Sequence, residues 1–473
     1  MTMIAQGSEL ELPSPVPAAA RRRSSPRDWS TPTWLRGLTA AVLLLAVALG
    51  AAVTLGAADL RGGVRLIGRD TAPQVTAAAD LSLQLTEMDA QLANVVLVGK
   101  EGAGDGRSAF VQRFDAARRR AAGDLQQAAV SRDPAVRREL GSTLEVFGRY
   151  QQVAGQVLYV DKEAAHPVAA APEQVLRKYR EATDLLEVEA LPAADRLTGA
   201  HRAVLDRARR GQTGAAIEAR SLVLVLGTGL VAALGWLQLL LYRRHHRLIN
   251  PAVLLATVAA LALVVPGARL FWSEEARARD GAALDSVLDL AQARAISRDA
   301  NADASRFIGD EFRRDQYLQS FFARSQILVE VPGAKPDSYA SDLATLYQSY
   351  GMFLGVLGTT QLPDKEPRAG QTLPKVLAYQ KSVAAMRVMV RKGRLDKAAQ
   401  VTTGYKPVEA NYDFERYDRL LAGFQDADRR AYERHMAGGS RTLGGWTVFP
   451  GAAVVVVSAL VIIGIRPRLA EFR

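Results

Sequence analysis

The sequence contains no cysteine, so neither disulfides nor thiolate chemistry is available to it. Exported parts must then be held by their own apolar cores, as large helical units are. Histidine is scarce, five residues in 473, and only His245 and His246 are adjacent, which leaves few ligands for a metal centre; no metal or other cofactor is expected. Catalytic signatures are missing as well. There is no phosphate-binding G-x-x-x-x-G-K-[ST] loop, no G-x-G-x-x-G after a strand, no H-E-x-x-H and no G-x-S-x-G. An enzyme is therefore not expected.

Charge is absent from four long windows, Leu38–Ala58, Ser221–Tyr242, Leu248–Ala268 and Thr442–Ile465. About 20 helical residues, rising 1.5 Å each, cross a hydrocarbon core of about 30 Å. Each window is read as a transmembrane helix. The first starts too deep in the chain, and runs on too far into charged amphipathic sequence, for a cleavable signal peptide. None of the four carries an acid or base to line an ion path, which disfavours transport.

Between the second and third windows lies only Arg243–Arg247, "RRHHR", a tight hairpin turn. Short Arg-rich connections stay cytoplasmic. The basic tail over 1–37 and the end over 466–473 agree, so both termini are placed in the cytoplasm of a multi-pass cell-membrane protein. The spans are then 38–58, 221–242, 248–268 and 442–465, with the turn at 243–247. The insertions 59–220 and 269–441 fall outside. A net charge of +11 reads as orientation and anionic-lipid contact; no nucleic-acid partner is expected.

Both insertions read as helical. Leu81, Leu85, Met88, Leu92 and Val95 alternate at spacings of four and three, the seam of a helix in a bundle. Two further helices follow, one entered through Pro134, and a long fourth is expected to bend or break at Pro192. The second insertion repeats the plan. An offset of 210 lays "MDAQLANVVLVG" (Met88–Gly99) on "RDANADASRFIG" (Arg298–Gly309), and an offset of 200 lays Phe147 and Tyr150 on Tyr347 and Tyr350. The expected fold is an all-α membrane protein: four transmembrane helices with two tandem extracytoplasmic, four-helix-bundle-like sensor domains.

The segment "MDAQLAN" in its bundle resembles the sensor domains of chemoreceptors. The four-span layout, the turn "RRHHRLINPAVLLAT" and the ending "GIRPRLAEFR" resemble the actinobacterial GlnX-like signalling adaptors, which link a glutamine-binding-type lipoprotein to the soluble serine/threonine kinase G. The resemblance implies a relay from an extracytoplasmic nutrient signal, acidic amino acids delivered by a solute-binding lipoprotein, to a cytoplasmic kinase. The expected partners are thus the bilayer, that lipoprotein, that kinase and a second copy of the chain. The alternative is an envelope scaffold without a ligand. Docking inside falls to Arg243, Arg244, Arg247, Asn250, Pro251, Arg466, Pro467 and Arg468, although the arginines also serve topology, and Asn250 and Pro251 suit a helix cap and first turn. Outside, the repeat puts Arg298 where the first unit has Met88, with Arg294, Asn301 and Ser305 on the same strip. A basic seam needs an anion. That anion is an acidic ligand, an acidic partner surface, or an acid of the chain itself, Asp299 and Asp303 on neighbouring turns or one on another helix.

Overall fold

The computed structural model describes residues 31–100, 106–245, 250–271, 274–350, 355–359, 365–446 and 448–470. Among them the chain is all-α, with no strand. Four apolar helices mark a multi-pass membrane protein.

The first half begins with α1 (Thr31–Arg65), which passes through a π turn at Leu66–Thr71 directly into α2 (Ala72–Val98). After α3 (Gly106–Ala128) and α4 (Pro134–Ala164), α5 (Glu173–Leu185) passes through a second π turn at Leu186–Ala190 into α6 (Leu191–His245). Asp133 caps α4, accepting from Ala135 N at 2.9 Å, with Pro134 in the first turn as expected. Pro192, by contrast, does not end its helix. Each π turn is followed two residues later by a proline, Pro73 or Pro192. A proline has no N–H to donate and its ring crowds the carbonyl four residues back; the wider turn before it relieves that conflict, and the helix continues.

The second half follows the same course with more pieces: α7 (Pro251–Leu270), α8 (Glu274–Gly309), α9 (Arg314–Leu328), the short α10 (Tyr339–Tyr350) and α11 (Val356–Thr359), α12 (Lys365–Arg391), α13 (Leu395–Thr403), α14 (Ala410–Gly445) and α15 (Phe449–Ala470). The window Thr442–Ile465 is divided between two helices, because α14 ends after the Gly444–Gly445 pair and Pro450 opens the first turn of α15.

In the membrane, α1 packs on α6 and α7 on α15, and the ring closes through α1 on α15 and α6 on α7. Small residues allow the close approach: a Cβ on Gly50 would lie 2.4 Å from Val454 on α15, and one on Gly227 2.7 Å from Val264 on α7. Leu44, Val225 and Val455 point outward and are largely exposed, a surface that suits lipid and not water. Asn250 caps α7 by accepting from Ala252 N at 3.1 Å, and its amide donates to Gly464 O on α15 at 3.0 Å.

Beyond the membrane, α2, α3, α4 and the α5–α6 helix enclose one apolar core that includes Leu81, Leu85, Met88 and Leu92. Helices α8, α9, α12 and α14 enclose the other. The offset of 200 lays Phe147 and Tyr150, on the 31-residue α4, over Tyr347 and Tyr350, which lie on the 12-residue α10. The Tyr150 hydroxyl donates to Asp89 on α2 at 3.4 Å, and that of Tyr379 on α12 to Asn301 on α8 at 3.1 Å.

The two units are not separate bodies. Helices α2 and α8 run side by side in the same direction, so Glu87 meets Arg298 and Asn94 meets Ser305, each pair 211 residues apart. The offset of 210 between the repeats is thus nearly the offset between neighbours in space. The first helices of the two units, α2 and α8, face each other, so both units lie at the same end of the membrane bundle.

Candidate functional site at the unit interface

Most of α2 is buried, including Glu87, Asp89, Gln91 and Asn94, because one face belongs to its own core and the other to α8. Burying charge is costly unless it is paired. Arg306 on α8, 2% exposed, supplies the centre of the pairing. Its Nε donates to Tyr179 Oη at 2.9 Å and its Nη1 to Asp303 Oδ1 at 2.6 Å, while Nη2 donates to Asp89 across the interface. Arg324 on α9 adds a second cation, with Nη2 2.6 Å from Asp299 Oδ2 and 3.0 Å from Glu187 Oε1, and Nη1 on Asp303.

Four carboxylates therefore surround two guanidinium groups. Burial pushes the Asp303 carboxyl above its ordinary range, against the pull of Arg306 and Arg324. The Arg306 pKa is raised as well, which keeps it charged: burial opposes the charge, but Asp89, Tyr179 and Asp303 outweigh it. Glu187, Asp299 and Asp303 bring oxygens within 4.8 Å of one another, a spacing that suits a cation. Arg306 and Arg324 already supply that positive charge, so the cluster is an ion-pair network.

Of the predicted outer residues, Arg298 and Ser305 reach across to α2, while Arg294 and Asn301 face α14 within their own unit. Arg298 Nη2 donates to Asp418 Oδ2 on α14 at 2.5 Å and its Nη1 to Glu87 on α2, while Arg294 forms a fork on Asp418 at 2.9 and 3.1 Å and reaches Gln425 at 2.8 Å. Burial disfavours the Asp418 charge, yet Arg298 and Arg294 bring its pKa below the usual carboxylate range. Ser305 Oγ donates to Asn94 Oδ1 at 2.7 Å, and Asn301 donates to Asn411 at 3.3 Å. The anions that meet the basic strip come from α2 and α14 of the chain itself.

Sequence reasoning missed Glu87, Asp89, Glu187, Arg306, Arg324 and Asp418. A signal existed in the dense alternation of acids and arginines in "SRDANADASRF", within a helix that also carries apolar core residues such as Leu290 and Ala300.

Beside the network a cavity of about 420 Å³ opens between α2, α6, α8 and α9, with Thr198, Gly199, Arg202, Asp299 and Arg324 in its wall. At the opposite end of the molecule, the predicted inner residues gather in part. Arg243 at the end of α6, Asn250, Pro251 and Arg466 lie at one end of the membrane bundle, joined through the Asn250–Gly464 bond. Arg247 lies outside the described residues, as do the side chains of Arg244, Pro467 and Arg468.

Residues 63–210 match the family model of the actinobacterial sensor domain. This span supports a sensing role. It covers just under a third of the chain and coincides with the first helical unit, from the last turn of α1 to the point where α6 nears the membrane. Neither a curated protein nor a solved structure matches the sequence. The sensor domain thus begins and ends inside helices that continue into the apolar spans, and its first helix forms the buried interface with the second unit.

Proposed function

We propose that the chain is a transmembrane relay that senses a nutrient signal outside the cytoplasmic membrane and controls a serine/threonine kinase inside it. One observation carries the reading: the sensor-domain match is bounded by α1–α2 and α5–α6, which run from bundle to bilayer through π turns and without a loop. A packed helix moves as a unit, so a shift or rotation in the sensor domain is delivered to the far side of the membrane.

The Arg-rich turn and tail favour placing the termini in the cytoplasm, with both helical units outside. In the GlnX-like adaptors that the chain resembles, a solute-binding lipoprotein brings acidic amino acids to the outer face, and we assign this chain the same kind of partner. Output is assigned to Arg243, Arg244, Arg247, Asn250, Pro251, Arg466, Pro467 and Arg468. The reading gives the chain no catalysis of its own. Affinity purification of the detergent-solubilised chain tests it. Recovery of a cytoplasmic serine/threonine kinase together with a solute-binding lipoprotein supports the relay, and recovery of cell-wall enzymes alone refutes it in favour of an envelope scaffold.

A further inference from the structure

Between its last two long helices, α12 and α14, the second unit carries the short helix α13, where the first unit joins α4 to α5 by a connection over 165–172. The turn that leads into α13 and the loop that leaves it are both exposed and both basic. Lys392, Arg394 and Lys397 lie on the turn and the start of the helix, and Lys406 lies in the loop. None of the four has an ion-pair partner among the described residues. The arginines just before them differ, since Arg387 and Arg391 both donate to Asp337. Glu409 is folded back into the loop, where its Oε2 accepts from Lys406 N at 2.6 Å. Four unpaired cations therefore stand beside one exposed acid, Asp396.

The same loop holds Val408 at φ +75°. A left-handed conformation is a genuine outlier for a β-branched residue, whose two branches crowd the backbone there. It is fixed from both sides: Glu409 N donates to Lys406 O at 3.0 Å, and Ser382 Oγ on α12 donates to Val408 O at 3.4 Å. Little contact within the chain offsets the strain, because the side chain is 78% exposed. The loop thus turns a valine into solvent at a position where glycine would sit without strain. Three residues earlier, Tyr405 is partly exposed, and the guanidinium of Arg113 lies over its ring, 4.3 Å from the centroid. Arg113 belongs to α3 and to the sensor-domain match, so this loop of the second unit touches the first.

We propose that α13 and its flanking turns dock a soluble extracytoplasmic protein that presents an acidic face. Val408 enters a shallow apolar recess of that protein, and Lys392, Arg394, Lys397 and Lys406 meet carboxylates around it. An apolar anchor within a charged rim is the usual anatomy of a protein interface. A nine-residue helix is about 13 Å long, so both turns fit beneath one partner's footprint of about 800 Å². A second copy of the chain presents the same cations and is repelled face to face. Through Tyr405 and Arg113 the docked protein bears directly on the sensor domain. The surface rests on the orientation assigned above, with both units outside, and adds where a partner docks and what charge it carries.

Val408→Gly separates docking from folding. Glycine suits φ +75°, so the loop keeps its shape and the thermal midpoint stays level or rises, while the anchor is lost. A photo-crosslinking residue is placed at Gln400, on the exposed side of α13, in the full chain in its native cells, and adducts are identified by mass spectrometry. The expected result is one dominant adduct, with an extracytoplasmic protein of net negative charge. That protein, purified, should bind the chain in nanodiscs with an affinity that falls about tenfold between about 50 and 300 mM salt. Val408→Gly should weaken binding about tenfold, the worth of one buried valine. Lys392→Glu combined with Lys397→Glu should weaken it at least as much, because attraction becomes repulsion. The proposal is overturned by no adduct beyond that from a probe at the exposed Val130, by an adduct with a second copy or a basic protein, or by binding indifferent to either change. Kinase recovery without such an adduct sinks only this surface, and an adduct without a kinase sinks only the relay. An adduct with a cytoplasmic protein overturns the orientation on which both rest.

Discussion

Replacing Arg306 by Met keeps the side-chain length and removes the charge on which the two units converge. Asp89 then loses its only cationic partner among the described residues and keeps two weak donors, Tyr150 Oη and Thr183 Oγ1, both at 3.4 Å. Asp303 keeps Arg324. Leaving one buried carboxylate uncompensated costs about 3–5 kcal/mol. At about 2–4 °C per kcal/mol for a folded body of 150–250 residues, the thermal midpoint should fall by roughly 6–20 °C. The assay is intrinsic-fluorescence melting of the full chain in detergent at pH 7.5. Asp89→Asn added to Arg306→Met removes the orphaned charge, and buried pairs replaced by neutral groups are often tolerated. The double variant should therefore recover much of the loss, with a coupling energy of about 2 kcal/mol or more. Additive losses within about 0.5 kcal/mol would refute the claim that the Asp89–Arg306 pair ties the units together.

Further outcomes follow from other parts of the molecule. Burial, followed by the neighbouring Asp80, raises the Asp124 carboxyl to about 7 from 3.8; its folded form favours the proton, so this contribution is present below about pH 4 and lost as pH rises towards 7. Asp124→Asn should flatten the pH dependence of the melting midpoint across that window, and an unchanged slope would discard the assignment. Gly50→Leu should disrupt the membrane bundle, because even a Cβ would lie 2.4 Å from Val454; a normal thermal midpoint in nanodiscs would contradict the close α1–α15 contact. Asn250→Ala removes a helix cap and a bond to α15, a loss of about 1–2 kcal/mol, with Asn250→Asp retaining only the cap; a midpoint for Asn250→Asp equal to that of the unaltered chain would show that the Gly464 bond contributes nothing. Reporters inserted at His246 or after Glu471 should be active only as cytoplasmic reporters, and one at Lys365 only outside. A cytoplasmic signal at Lys365 would overturn the orientation.

The sequence alone determined the class and the plan. Four uncharged windows are visible without any fold, because a bilayer tests each helix separately for length and polarity, and the seam through Leu81, Leu85, Met88 and Leu92 is a local 3.6-residue pattern. The Asn250 cap and the Pro134 entry were legible for the same reason, since capping depends on neighbours in the chain. At Pro192 an irregularity was legible, but not its form: the helix runs on through a π turn at Leu186–Ala190, which leaves no separate mark in composition. The repeat was visible, but not its use. That α2 and α8 face each other, and that Glu87 and Asp89 meet Arg298 and Arg306, depends on pairings across 211 and 217 residues, to which no local rule reaches. Arg294 and Arg298 therefore read correctly as cations on an inward face, while the carboxylates that answer them became apparent only when α14 and α2 were brought alongside. The cavity, with Arg202 from one unit and Asp299 from the other in its wall, exists only after the two halves pack, because the space between helices is set by what surrounds a side chain and not by its place in the sequence.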